Sequence, residues 1–295
     1  MNTYDIIVKN LTFNYPNSEK IFNNLTLNIK KGERCLLVGS NGSGKTTLLN
    51  ILGGKHMVNV DSVLVLDQPS FHNTHPNITL LTGNWSKTVS FAGTNVAYQS
   101  DITVLKMLKE LKNYDVNRLK KLLAVLDINL SWRMHLVSDG QRRRVQILLG
   151  LIQPCDVLLL DEITVDLDLV SRNNFLNFLK DESENNNLTI LYATHIFDRL
   201  DEWCTNIAYV NDKHCIGEYD TIYNLKFKYN INELSNLIDY LLRMEKKYDD
   251  NLERVNKQID FILENGTDEF EKKKVIKKYA DDKFNSFNKD YHNYW

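Results

Sequence analysis

Four cysteines and four prolines are all that the 295 residues contain. Cys35, Cys155, Cys204 and Cys215 are scattered, with no CxxC pair and no metal-ligand spacing. A disulfide framework and a zinc module are therefore both unsupported, and buried reduced thiols are the simpler reading. Apolar runs are also short. Nothing approaches the ~18 consecutive positions at which a membrane helix becomes the default, and "ILLGLI" and "VLLL" suit a buried helix and a buried strand. The N-terminal "MNTYDIIVKN" has no basic flank leading into an apolar core, so no secretory signal is expected. An excess of one charge sign is missing too: 36 Lys and Arg stand against 38 Asp and Glu, a net charge of −2. No whole-protein field favours nucleic acid or an anionic membrane. These absences predict a protein of the cytoplasm, with the nucleus as the alternative, no membrane span and no direct nucleic-acid partner.

What is present is ordinary globular material, 43% hydrophobic and 25% charged. It is enough for one large domain plus an appendage, or for two modest domains. Among the seven histidines, His72 and His75 of "HNTH" have Asn and Pro neighbours and read as a surface loop. Near the start, Ile21, Asn23, Leu25, Leu27 and Ile29 alternate with period two, which with "DIIVKNLTFNY" predicts an antiparallel β layer. "CLLVG" is a short continuous apolar run of the kind buried on both faces of a sheet. A Gly-rich loop follows it, then "KTTLLNILGG", a helix closed by Gly53 and Gly54. "SVLVLD", "VLLLD" and "TILYAT" are further buried-strand candidates, separated by helical segments such as "VLKMLKELKN" and "LKKLLAVL". Strands alternating with helices predict a mainly parallel sheet covered by helices, and "IAYVNDKHCIG" reads as a closing hairpin.

Composition shifts after about Tyr223 towards Lys, Asn, Asp and Tyr. In this tail Leu234, Ile238, Leu241, Tyr248, Leu252, Val255, Ile259 and Ile262 follow alternating four- and three-residue steps, interrupted only by Glu245. That is a heptad seam. "ENGTDEF" breaks it, and a second, weaker helix follows. A coiled coil and a helical hairpin both stay open. The basic "KKKVIKK" among acids reads as a solvated face.

The chemistry is concentrated in a few motifs. Gly39, Ser40, Asn41, Gly42, Ser43, Gly44, Lys45 and Thr46 fit GxxxxGK[ST], lying between a buried strand and a helix as that pattern requires, with Thr47 next in line. Glycines let the backbone wrap a phosphate chain, and the helix start adds partial positive charge. Lys45 would reach the terminal phosphates and the Thr46 hydroxyl would ligate Mg²⁺. "VLLLDE" delivers Asp161 to the C-terminal end of a buried strand as a second Mg²⁺ ligand. Glu162, one residue on, can accept a proton from water. "VSDGQRRR" is a charge run or a helix start. Ser138 and Gln141 make the S-x-x-Q capping box, and Val145, Leu148, Leu149 and Ile152 supply the apolar stripe behind it. A helix therefore starts here and offers an anion site. At ~100° per residue the arginines fan apart: Arg144 falls at the stripe's margin, suited to an internal ion pair, and Arg142 and Arg143 point outward.

The phosphate loop, "VSDGQ", "VLLLDE" and "YATH", in that order and spacing over roughly residues 4–220, resemble the nucleotide-binding domain of ABC ATPases. Within that family the surrounding sequence resembles soluble, non-transporter members: plant subfamily I proteins and the fungal ATPase associated with the Ccr/Not mRNA-regulating complex. The resemblance implies an α/β phosphate-loop NTPase fold of ABC type. Its parts are an antiparallel β layer, a mainly parallel core sheet, a small helical subdomain at about residues 100–150 and a C-terminal helical extension. Residues 1–222 form the ATPase domain and 223–295 the extension. It implies ATP and Mg²⁺ as ligands, and a head-to-tail homodimer in which Ser138, Gly140 and Gln141 press on the γ-phosphate held by the other copy. Tyr15 is placed to stack on adenine, with a core aromatic as the competing reading. Gln99 is placed to contact Mg²⁺ and water, Asp168 lies in the loop that crosses between subunits, and His195 contacts the γ-phosphate. Asp139 departs from the family's glycine and is expected to point away from the phosphate. The resemblance further implies a regulatory protein complex reached through the C-terminal helices. Two other roles stay open: the ATPase subunit of a transporter with a separate membrane chain, or a nucleotide-dependent scaffold.

Overall fold

The computed structural model describes residues 3–16, 20–83, 88–91, 94–97, 101–211 and 215–245. The chain opens with a long hairpin, β1 (Tyr4–Asn14) and β2 (Lys20–Lys30). Then come β3 (Arg34–Gly39), α1 (Lys45–Leu52), β4 (Val63–Val65), β5 (Gln68–Pro69) and β6 (Ile78–Thr82). A small hairpin, β7 (Thr88–Phe91) and β8 (Thr94–Ala97), leads to α2 (Val104–Glu110) and α3 (Val116–Val125). The rest is α4 (Asp139–Leu151), β9 (Val157–Asp161), α5 (Leu169–Asn186), β10 (Thr189–Ala193), β11 (Asn206–Val210), β12 (Ile216–Thr221), α6 (Ile222–Tyr229) and α7 (Leu234–Glu245).

Two sheets carry the fold. One is antiparallel, in the order β2-β1-β4-β5; the other runs β12-β11-β3-β10-β9-β6, parallel throughout except for the antiparallel β11–β12 hairpin at its edge. The parallel strands are buried on both faces, which is why they read as continuous apolar runs. Alternate residues still part company: Leu36, Val38, Leu158 and Leu160 join the core shared with α2–α7, whereas Cys35, Leu37, Val157 and Leu159 join the core shared with α1 and the antiparallel layer. All four cysteines are free, two of them buried.

The observed elements depart from the sequence-based expectation at several points. The alternation from Ile21 to Ile29 does not hold, because Asn24 adopts φ +55° and the β1–β2 register shifts there. That bulge turns Phe22 into the core and leaves Asn23 exposed. "SVLVLD" belongs to the antiparallel layer as β4, not to the parallel core. The parallel edge strand is instead β6, whose residues are only half-buried except for Leu81, so it lacks an apolar-run signal.

The chain divides into two units, Met1–Leu242 and Arg243–Trp295. The first unit thus runs beyond the compositional change at Tyr223. Leu225 of α6 and Leu234, Leu237, Ile238 and Leu241 of α7 are buried in the same core as α2–α5. The early heptad positions therefore pack on their own domain. The later positions, from Tyr248 on, lie outside the described residues, as does the segment after "ENGTDEF" for which the sequence predicts a second helix. Among the described residues no helix is long and apolar enough to cross a membrane. Leu237 is fully buried, so Leu237→Ala should cost roughly 3 kcal/mol in urea unfolding, the usual loss for a buried leucine. A change of a few tenths would mean that α7 is not part of the core.

Candidate functional site

The site lies where the parallel strands end. Register sets Ala193 of β10 opposite both Leu37 of β3 and Asp161 of β9, and Asp161 opposite Thr82 of β6. The phosphate loop leaves β3 at this edge. Gly42 and Gly44 have φ of +84° and +97°, the left-handed region that glycine alone enters freely. A Cβ on Gly44 would stand 2.8 Å from both Ile21 and Phe22, and one on Gly39 would stand 2.6 Å from Ser43 Oγ and the Val210 carbonyl. Ser43 Oγ is buried without a hydrogen-bond partner among the described residues. A glycine-built cradle with an unsatisfied buried hydroxyl fits a phosphate chain.

Lys45 donates to the carbonyls of Gly39 at 2.8 Å and Ser40 at 3.0 Å. Burial lowers its pKa, and the Glu162 and Asp161 carboxylates oppose that shift. Asp161 in turn has its pKa raised by burial, against a hydrogen bond from Thr46 and the charges of Lys45 and His195. Thr46 and Asp161 are thus in contact, and together they present oxygen atoms of the kind that would suit Mg²⁺. Glu162 holds φ +52°, an uncommon conformation for a residue with a Cβ and one that costs about 1–3 kcal/mol. Its N–H donates to the Ala193 carbonyl at 3.0 Å, and its carboxylate lies 3.4 Å from His195 Nε2. Burial raises its pKa, partly offset by His195. Asn41 and Gly42 are exposed at the loop's crest, and Thr47 is buried.

Tyr15 is half-buried, its ring edge-on to Phe13 and His56 and its hydroxyl 3.3 Å from Thr47 Oγ1 and 3.2 Å from His56 Nε2. It therefore stands beside the first turn of α1. Gln99 lies outside the described residues.

Helix α4 begins as predicted. Ser138 Oγ accepts from the Gln141 N–H at 3.2 Å, and the Gln141 side chain accepts from the Ser138 N–H at 3.0 Å. Asp139 is exposed and paired with Arg142 at 2.7 Å. Arg144 forms the expected internal ion pairs, with Asp127 and Asp168. Arg143 does not point outward. It is largely buried and donates to Asp166, to Gln146 and to the carbonyls of Thr82 and Gly83. Gly140 packs so closely on this loop that a Cβ would sit 2.7 Å from the Asp166 carbonyl. Asp168 caps α5 by accepting from the Ser171 N–H and hydroxyl, and those bonds hold its pKa low. Arg143, Gln146 and Asp166 join α4 to the loop after β9 and to the end of β6, contacts that the motifs do not reveal. The spacing of Arg143 and Gln146, three residues apart on a helix face that also meets the core, is the one signal the sequence holds for them.

A family profile described as ABC transporter matches residues 22–165. ABC transporter I family member 21 of Arabidopsis thaliana is 47% identical over 249 residues, covering 82% of this chain and 87% of that protein. The chain is an ABC ATPase. CCR4-associated factor 16 of Saccharomyces cerevisiae is 35% identical, with 79% of this chain and 84% of that protein aligned. A dimeric ATP-binding cassette in a post-hydrolysis state, bound to ADP and Pi, shares the fold with a TM-score of 0.58 at 20% identity, over 74% of this chain and 98% of that one. ABC ATPases bind and hydrolyse ATP, and the phosphate loop described above is where this one should hold it. Gly44→Ala combines a forced left-handed Cβ with contacts under 3 Å. It should raise the Kd for a fluorescent ATP analogue by about two orders of magnitude, while circular dichroism stays unchanged. Unaltered affinity would show that the loop geometry does not govern binding.

Proposed function

We propose that this ABC ATPase works as an ATP-driven, head-to-tail homodimer with a regulatory role outside membrane transport. The observation that carries the catalytic part is Glu162, a half-buried carboxylate next to Asp161 and within reach of His195, just beyond the end of β9. Glu162 takes the proton of the attacking water, and His195 orients the carboxylate and meets the γ-phosphate. Lys45 and the loop N–H groups hold the phosphates. Thr46 and Asp161, with Gln99 by family resemblance, would hold Mg²⁺, which would supply charge neutralisation at the phosphates. Catalysis is then chiefly positioning and charge stabilisation. Tyr15 stacks on the base.

Support for the dimer is the division of labour in one chain, which has one phosphate loop and one capped signature helix. Ser138, Gly140 and Gln141 of one copy close over the ATP of the other, and Asp168 belongs to the loop between the copies. The dimeric state of the matched cassette is consistent with this. The regulatory role is supported by the kinship with a plant subfamily I member and with a protein named CCR4-associated factor 16. The C-terminal helices are the proposed contact to a protein complex, in the cytoplasm or nucleus.

Glu162→Gln should reduce kcat by about 10³-fold and shift the protein to a dimer in Mg-ATP, read by light scattering. Normal turnover would remove Glu162 as the base; brisk hydrolysis by monomers would remove the composite site. Affinity purification of that trapped form identifies the complex. The wild-type pH profile is a second test. Glu162 acts deprotonated and burial raises its pKa in the free protein, so kcat/KM, which reports the free enzyme, should fall as pH drops through a value above the ordinary 4.5. An acid limb at or below that value would place the base elsewhere.

A further inference from the structure

Tyr192 is the penultimate residue of β10, fully buried, with its ring edge-on to Trp203 at a centroid distance of 6.0 Å. A phenol there needs a partner, because an unpaired buried hydroxyl is costly. It finds Thr164 Oγ1 at 2.6 Å, and the Thr164 side chain is itself completely buried. The side chain of Thr194 is its second polar neighbour. These two threonines are not arbitrary positions. Thr164 follows Glu162 by two residues, and Thr194 immediately precedes His195.

Resting on the catalytic reading above, we propose that Tyr192 is a positioning residue: its hydroxyl ties the segment after Glu162 to the segment before His195 and so holds the two side chains at their working separation. The need for such a tie is visible in the backbone. Glu162 is held at φ +52°, and its N–H bond to the Ala193 carbonyl is the link on one side of it. A strained residue keeps its conformation only when neighbouring structure over-determines it. Thr164, locked from below by the phenol, supplies the constraint on the other side. The hydroxyl touches neither substrate nor metal. It acts through where Glu162 and His195 stand.

Tyr192→Phe keeps the ring against Trp203 and removes one oxygen. It should lower kcat roughly tenfold while leaving KM for ATP within about twofold, since misplacing a catalytic group affects the chemical step more than binding. Thr164→Val should do the same, and the double variant should be no worse than the more affected single, as residues acting as one unit are not additive. In a Glu162→Gln/His195→Ala background, where both positioned side chains are gone, Tyr192→Phe should add no further loss to the residual rate. Tyr192→Phe at the wild-type kcat, beside an inactive Glu162→Gln, would overturn the positioning role and leave the catalytic assignment standing. A further drop in the Glu162→Gln/His195→Ala background would also overturn it, by showing that the hydroxyl acts on something other than that pair. Full activity of Glu162→Gln alone would instead remove the catalytic reading on which the proposal stands. If Tyr192→Phe does not fold, Thr164→Val carries the same comparison.

Discussion

Backbone register in the parallel sheet is the constraint from which the rest follows. Hydrogen bonds between β3, β10, β9 and β6 bring Leu37, Ala193, Asp161 and Thr82 into one row across four strands. Each chain segment leaves the sheet just past that row. The phosphate loop follows Gly39, Glu162 follows Asp161, Thr194 and His195 follow Ala193, and Gly83 follows Thr82. A slip by one residue in any strand would turn its side chains to the opposite face and draw its terminal group away. Burial on both faces makes that slip costly, so hydrophobic packing fixes where the chemistry is.

The same burial that fixes register makes the site electrostatically demanding. Lys45, Asp161 and Glu162 are all partly withdrawn from water, and burial shifts each of them towards its neutral form. Attraction between Lys45 and the two carboxylates pulls the other way, and His195 adds to it for both carboxylates, whereas the Asp161 charge pushes Glu162 further up. Lys45 meanwhile satisfies its protons on the Gly39 and Ser40 carbonyls. In the proposed binding mode, a polyanion entering here would meet a lysine already desolvated and held. Little reorganisation is needed at the moment of reaction, which is the condition under which fixed charges contribute most to catalysis.

Features written in consecutive residues are legible in the sequence alone. The phosphate loop, the acidic pair after β9 and the capping box of α4 each depend on local spacing, and each stands where that spacing puts it. Features that depend on pairing across the fold are not legible in this way. The bulge at Asn24 reverses the faces of half a strand, and an asparagine at φ +55° leaves no periodic trace. Strand β6 is half-covered and therefore lacks the apolar run that marks its neighbours. Arg143 looks like part of a charge cluster, because its acceptors come from Asp166 and from the end of β6, both far away in sequence. Tyr192 reads as one more apolar strand residue; only the sheet shows its hydroxyl beneath Thr164. The tail illustrates a different limit. Heptad spacing marks a true apolar face at Leu234, Ile238 and Leu241, but spacing alone does not say whether that face meets a second helix or its own core.

Helix α4 links the proposed anion-binding turn to the loop that carries the proposed base. Arg143, Arg144 and Gly140 bind the start of the helix to the loop running from Glu162 to Asp168. Two ion pairs and a backbone contact on one loop restrict relative motion far more than one exposed pair could, because surface pairs taken singly hold little. Arg143 is also anchored to Thr82 and Gly83, so the end of the edge strand moves with the helix. In the proposed head-to-tail pair, the ATP that a copy touches with Ser138 belongs to its neighbour, whereas the Glu162 loop serves its own. In that proposed arrangement the helix–loop contacts would place the signature turn that serves one site and the carboxylate that serves the other on a single linked unit.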